Sequence, residues 1–242
     1  RLRSRGLGDV YKRQDIALLS EHIPVTTDAT TEWSNTVKLN RALLELRHRG
    51  GGPVHINLTT TYSLDYSVKK LPQARMIRRI MPQDIFPELP KGRIGVFIGA
   101  HRKFTDTEAA SLDAFCATYD AVVFTDHTGG YKGKYRVPVS ILSSQEKDYC
   151  SLMRVDLLIH IGDVFGGYIG MRPNMVWRVN PDGELRDTYR KLVCVFEMEE
   201  ETFFEHYADT TSPARHDYMD ACREELRACL LYTSPSPRDR SL

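Results

Sequence analysis

One stretch of the chain gathers several groups able to do chemistry. Asp126-His127-Thr128-Gly129-Gly130-Tyr131-Lys132-Gly133-Lys134 brings together a carboxylate, an imidazole, three glycines and two lysines. Backbone without Cβ atoms, flanked by Lys132 and Lys134, could touch an anionic ligand, and a mobile surface loop would have the same composition. Two shorter stretches invite comparison. Gly99-Ala100-His101-Arg102-Lys103 carries one of the glycines that close phosphate approach needs, and reads better as a tight strand-to-helix turn. Gly162-Asp163-Val164-Phe165-Gly166-Gly167 also falls short of a phosphate fingerprint. His101, His127 and His160, with Asp126 or Asp163, could meet as metal ligands only if strand ends converge, since no HxH, HxxxH or HExxH spacing supports them. Asp126 and His127 suggest two members of a triad, yet no GxSxG elbow or comparable cysteine context completes it. Asn180-Pro181-Asp182-Gly183 is a turn signal. Arg75, Arg78 and Arg79 read as a solvated basic linker before they read as an anion site.

These residues matter only if the elements carrying them bring them together. Arg93–Ile98 is nearly continuous β-former, as a strand buried on both faces of a parallel sheet should be. Thr105-Asp106-Thr107-Glu108 is a capping box, followed by a helix that presents Ala109, Leu112, Ala114, Phe115 and Cys116. Ala121–Thr125, Asp156–Ile161, Met175–Val179 and Leu192–Phe196 read as further strands. Helices are expected from Ser143 or Ser144 to about Met153, over Glu199–Tyr207, and over Arg215–Ala228. Strands and helices alternating in this way predict an α/β fold with a doubly wound, Rossmann-like parallel sheet, whose ligands bind beyond the strands' carboxyl ends. Upstream, Ser34 or Asn35 is expected to cap a helix whose buried stripe is Leu39, Ala42, Leu43 and Leu46, with Arg47, His48 and Arg49 in its last turn. Gly50 or Gly51 ends it in a left-handed conformation, and Val54–Leu58 is a strand. This is a truncated α/β piece. Thr59–Pro90, punctuated by Pro72, Pro82, Pro87 and Pro90, reads as a connection.

The two ends are foreign in character. Codons can be chosen for residues 1–14 whose reverse complement translates as residues 229–242, so both ends are expected to be adapter-derived and non-native. In those ends Arg1, Arg3, Arg5, Lys12, Arg13, Arg238 and Arg240 outnumber Asp9 and Asp239 by five, so the formal charge of +1 becomes −4 for residues 15–228. A mildly acidic chain without a basic run gives no electrostatic reason to expect nucleic acid or an anionic membrane as a partner. No apolar run approaches the ~20 residues of a membrane helix. Cys116, Cys150, Cys194 and Cys222 lack metal-ligand spacing and read as reduced thiols of a cytoplasmic protein, three of them in or near cores.

Gly52-Pro53-Val54-His55-Ile56-Asn57-Leu58, entered from a helix, resembles the closing strand of the pyrimidine-binding domain in thiamine-diphosphate enzymes. The resemblance continues through Lys91–Gly99, Asp120–Phe124, Val155–Gly162 and Val179–Asp182, which look like that family's central domain. The Gly-Pro-Val-His-Ile-Asn wording and Asn180–Asp187 are most similar to the menaquinone-pathway synthases, and the layout is shared with acetolactate synthases and 2-oxoacid decarboxylases. Thr59-Thr60-Thr61-Tyr62 stands where the family usually has proline. The resemblance implies the end of a pyrimidine-binding domain over 15–66, a linker over 67–90, a central α/β domain over 91–208, and a linker with the start of a helix over 209–228. It also implies a parent carboligase or decarboxylase that uses thiamine diphosphate and magnesium and assembles as a homodimer or homotetramer. The family's ylid-forming glutamate and its Gly-Asp-Gly…Asn metal motif belong to parts not found in this sequence, so no catalytic or metal residue is assigned, and this piece is expected to bind no cofactor. On the family analogy, Asp126, His127, Gly129, Gly130, Lys132 and Lys134 would face the substrate channel. The alternative is a stand-alone FAD- or NAD-binding Rossmann-like module.

Overall fold

A computed structural model describes residues 17–62, 64–67, 69–70, 73–143, 150–163, 170–209, 211 and 214–233. The chain divides into two units, one up to Arg78 and one from Arg79 onward.

In the first unit β1 (Leu19–Ile23), α1 (Ala29–Glu45) and β2 (Val54–Leu58) form one right-sized crossover, with the strands parallel from Leu19 opposite Val54 to Ile23 opposite Leu58. Asp28 caps α1, not Ser34 or Asn35: its carboxylate accepts from the backbone N–H of Thr30 and Thr31, each at 2.8 Å. Asn35 lies inside the helix and is buried, donating to the Pro24 carbonyl at 2.9 Å. Asn40 donates to the Arg75 carbonyl at 2.9 Å and accepts from Ile77 N–H at 2.7 Å. The buried positions are therefore Asn35, Val37, Asn40 and Ala42, while Leu43 and Leu46 are exposed. The helix stops at Glu45, before Arg47, His48 and Arg49. A single 3₁₀ turn, His48–Gly50, follows, and Arg49, Gly50 and Gly51 all take positive φ. A Cβ on Gly51 would lie 2.5 Å from the Leu46 carbonyl oxygen, so the corner into β2 requires glycine there.

The second unit is built on a seven-stranded sheet. Its strands are β3 (Arg78–Ile80), β4 (Ile94–Ile98), β5 (Val122–Thr125), β6 (Arg136–Pro138), β7 (Arg154–Ile161), β8 (Arg172–Val179) and β9 (Leu192–Phe196). The spatial order is β3-β9-β8-β7-β4-β5-β6. From the central β4 the chain steps outward to β5 and β6, then returns to the other side of β4 and lays down β7, β8 and β9 in parallel. This is the doubly wound arrangement, with its switch point between β4 and β7. Every residue of β4 is buried, which is why its sequence shows no alternation. The stretch read as a plain connection supplies β3 at one edge of the sheet.

Helix α2 (Asp106–Tyr119) begins at the capping box expected from sequence, and its Leu112, Phe115 and Cys116 are buried. It packs beside α4 (Glu200–Tyr207), where Phe203 and Phe204 sit 6.4 and 5.1 Å from Phe115 between ring centroids. The short α3 (Val139–Ser143) packs with α5 (Asp217–Thr233). Residues 144–149, where the Ser143–Met153 helix was expected to run, lie outside the described residues; a 3₁₀ turn, Ser151–Met153, precedes β7. Tyr218, Met219 and Cys222 anchor α5, which runs on past Ala228 to Thr233. No disulfide joins the five cysteines; Cys116, Cys194, Cys222 and Cys229 are buried. Burial pushes the Cys222 thiol up to about 12 and raises that of Cys116 well above the ordinary thiol value. Among the described residues no helix is long and apolar enough to cross a membrane.

Candidate functional site

Parallel strands end at one edge of the sheet, and where the winding reverses the connecting segments part and leave a crevice. Here a cleft of about 630 Å³ opens at the carboxyl ends of β4, β7, β8 and β9. Its walls are the turn after β4 (Ala100, His101, Arg102), Gly162 and Asp163 after β7, the Asn180-Pro181-Asp182 turn with Arg186 after β8, and Glu199 and Glu200 at the start of α4. The stretch read as a tight turn, the start of the one that fell short of a phosphate fingerprint, and the Asn-Pro-Asp-Gly turn thus all line the cleft.

Its charges are largely engaged with each other. Arg102 forks onto Glu108, one arm donating at 2.8 Å, and Glu108 also accepts from the Thr105 N–H at 2.8 Å. The Arg102 guanidinium holds the Glu108 carboxyl down at about 2. Arg186 bonds the carboxylates of Asp163 and Glu184, and lies 3.9 Å from Asp182. Beneath the cleft Arg178 is fully buried. One Nη donates to the Gly162 carbonyl at 3.0 Å; the other lies 4.0 Å from the Asp182 carboxylate, and Nε and Nη2 make no hydrogen bond. Burial lowers its affinity for the proton. His160, on β7, is buried between Phe97 and Tyr189. Burial first, then the charges of Arg178 and Arg186, push its pKa down to about 3, so it is a neutral core imidazole. His101 is different. Burial opposes its charge, but bonds to Glu200 and to the Arg102 carbonyl outweigh that and raise its pKa above the ordinary histidine value.

The stretch from Asp126 to Lys134 lies beside the cleft, and none of Asp126, His127, Gly129, Gly130, Lys132 and Lys134 lines it. Asp126 is buried and closes a turn by accepting from Thr128 N–H at 2.8 Å and its hydroxyl at 2.7 Å. The His127 ring is exposed, 3.6 Å from the Asp126 carboxylate. Gly129 and Gly130 let the loop press against its neighbours: a Cβ would fall 1.8 Å from Thr125 Oγ1 in one case and 2.1 Å from the Arg102 carbonyl oxygen in the other. Thr128 accepts the His101 N–H at 3.1 Å. Tyr131 is buried with its hydroxyl bonded to Asp113, while Lys132 and Lys134 are exposed. The loop backs the cleft wall.

Among the described residues no group of three or more His, Cys, Asp and Glu side chains is placed to hold a metal ion. Asp163 does not supply a diphosphate-anchoring ligand either: its carboxylate is taken by Arg186 and its N–H donates to the Ala100 carbonyl at 2.8 Å. Val164–Gly167, the rest of that stretch, lie outside the described residues. The described residues do not fit thiamine diphosphate with its metal.

No family model matches the chain. It aligns with 2-succinyl-5-enolpyruvyl-6-hydroxy-3-cyclohexene-1-carboxylate synthase of Bacteroides fragilis at 26% identity over 228 residues, covering 85% of this chain and 41% of that protein. The synthase of Bacteroides thetaiotaomicron is 26% identical over 219 residues, covering 81% of this chain and 38% of that one, and the synthase of Phocaeicola vulgatus is 24% identical over 208 residues, covering 78% and 37%. The chain is homologous to these thiamine-diphosphate-family synthases. It spans about two-fifths of their length. An 85% share is more than the residues from Arg79 onward can supply, so the homology runs through both units.

Proposed function

We propose that the chain is a supporting piece of a thiamine-diphosphate-dependent carboligase of the 2-succinyl-5-enolpyruvyl-6-hydroxy-3-cyclohexene-1-carboxylate synthase type. It holds the closing helix and strand of the pyrimidine-binding domain and the whole central domain. One observation carries this: a single alignment crosses both units yet covers only 41% of the relative. The first unit agrees with it. The parallel pair β1–β2 leaves Leu18, Leu43, Leu46 and Leu58 exposed, as the remnant of a larger sheet would. In the parent, the other domains supply the glutamate and the Gly-Asp-Gly…Asn motif, and a second subunit completes the site. The central domain contributes shape and buttressing, and residues 1–14 and 229–242 are not native to it.

Isothermal titration of the chain with thiamine diphosphate and Mg²⁺ is expected to give no saturable heat; tight stoichiometric binding would overturn this reading. Extending the reading frame in the source DNA is expected to reveal Gly-Asp-Gly and a later Asn downstream. A frame without them removes the enzyme assignment. The cleft at the switch point favours a second reading, a stand-alone dinucleotide-binding module. A saturable fluorescence change with FAD or NAD would select that module.

A further inference from the structure

Both ring nitrogens of His101 face oxygen acceptors. Nδ1 is 2.8 Å from the Arg102 carbonyl oxygen and Nε2 is 3.3 Å from Glu200 Oε1. Neither partner in this arrangement has a proton of its own to give: one is a carbonyl, the other a carboxylate. A neutral imidazole has one N–H and satisfies one of them; an imidazolium satisfies both. The two side chains are only 10% and 6% exposed, so water does not readily replace a lost bond. The pair joins separate parts of the cleft wall. His101 sits in the turn after β4 and Glu200 is the first residue of α4, which follows β9; β7 and β8 lie between those strands in the sheet.

We propose that His101 and Glu200 form a proton-sensitive clasp across the cleft, tightest while the imidazole carries both protons and weakened when it loses one. The charge is then gone, and the single remaining N–H has two acceptors to serve, Glu200 and the Arg102 carbonyl. That weakening loosens the hold of the turn after β4 on the first turn of α4, and with it the cleft wall. The surrounding charges favour the closed form. Glu199, just before α4 in the same cleft wall, offsets part of the Arg102 charge. Arg102 repels the imidazolium but is itself tied to Glu108. Across the cleft Asp163 and Arg186 neutralise one another, and Asp182 lies 3.9 Å from Arg186. Phe104 covers the ring of His101 at 4.6 Å between centroids. A group whose folded pKa is raised stabilises fully below its unfolded pKa, and the contribution disappears as pH rises through the folded value. The clasp is therefore tightest in mildly acidic solution and weakens as pH rises through the raised His101 value.

The test is a pH titration of the full chain by NMR with ring-labelled histidine. His101 is expected to titrate at higher pH than histidine in the urea-unfolded chain, and the amide signals of Arg102 and of Glu200 to Phe203 should move with the same midpoint. Glu200→Gln should lower that midpoint by about one unit, a tenfold loss of proton affinity, and abolish the coupled amide shifts. His101→Gln should speed hydrogen exchange in the first turn of α4 by about tenfold below the midpoint and leave it unchanged above. A ring that stays neutral throughout, or one that titrates without moving the α4 amides, overturns the proposal. Should His101→Gln fail to fold, the Glu200→Gln titration still decides the matter.

Discussion

Gly130 is held at φ +69° against the Arg102 carbonyl, where a methyl group would come within 2.1 Å. Gly130→Ala is therefore expected to cost about 1–3 kcal/mol in urea unfolding, from positive φ and from a backbone clash that cannot relax by turning a side chain. An unchanged midpoint would show that the loop does not rest on the cleft wall. The same residue shows why the site was only partly legible. A glycine that lets backbone approach a phosphate and one that lets backbone approach backbone lack the same atom, so the sequence leaves Gly129 and Gly130 open between a ligand contact and a surface loop, while the structure shows both pressed against their neighbours. Arg178 carries no signal of its own in the sequence, and His160 reads there only as a possible metal ligand, for the opposite reason. Each sits within a run of strand-forming residues, and nothing local marks Arg178 as a buried charge or His160 as a neutral core ring.

Among the elements, α4 carries much of the aromatic packing. Phe203 is fully buried, with ring centroids 4.8 Å from Phe196, 5.0 Å from Tyr207 and 5.2 Å from Phe204. Phe203→Ala should cost about 3–5 kcal/mol, read as a lower urea midpoint for the second unit, because the cavity between α4 and the sheet can only partly collapse. A loss under about 1 kcal/mol would mean that α4 is not part of that core. Strands rich in β-branched and aliphatic residues were the readable ones: those expected at Val54–Leu58 and Leu192–Phe196 occur at those bounds, and β4, buried on both faces, begins one residue later than expected. The short strands β1, β3 and β6 (Leu-Ser-Glu-His-Ile, Arg-Arg-Ile and Arg-Val-Pro) have little pattern of their own and are strands because a neighbour pairs with them. The stripe of α1 was misread because two of its buried positions are asparagines. Asn35 and Asn40 fasten loops by hydrogen bonds, which hydrophobic periodicity does not register.

At the scale of the molecule, the cleft depends on strand order. Its walls come from segments about a hundred residues apart, and only the sequence β9-β8-β7-β4 across the sheet brings His101 to Glu200. Alternating strands and helices announce a sheet of this kind but leave that order open. The two units also differ in means of support. Among the described residues the first rests on two strands and one helix with several leucines exposed, and the second on a seven-stranded sheet between helices. The first is expected to open at lower denaturant concentration. The distribution of sulfur makes this measurable without any label. Every cysteine lies at Cys116 or beyond, so the residues up to Arg78 are silent to a thiol-reactive chromophore. The protein thus contains a chemical clock that runs only when its larger part opens. As urea rises, ellipticity should begin to fall while Cys116, Cys194 and Cys222 remain unreactive, with half-buried Cys150 the first to respond. If these three thiols react in step with the earliest loss of ellipticity, the two parts share one fate.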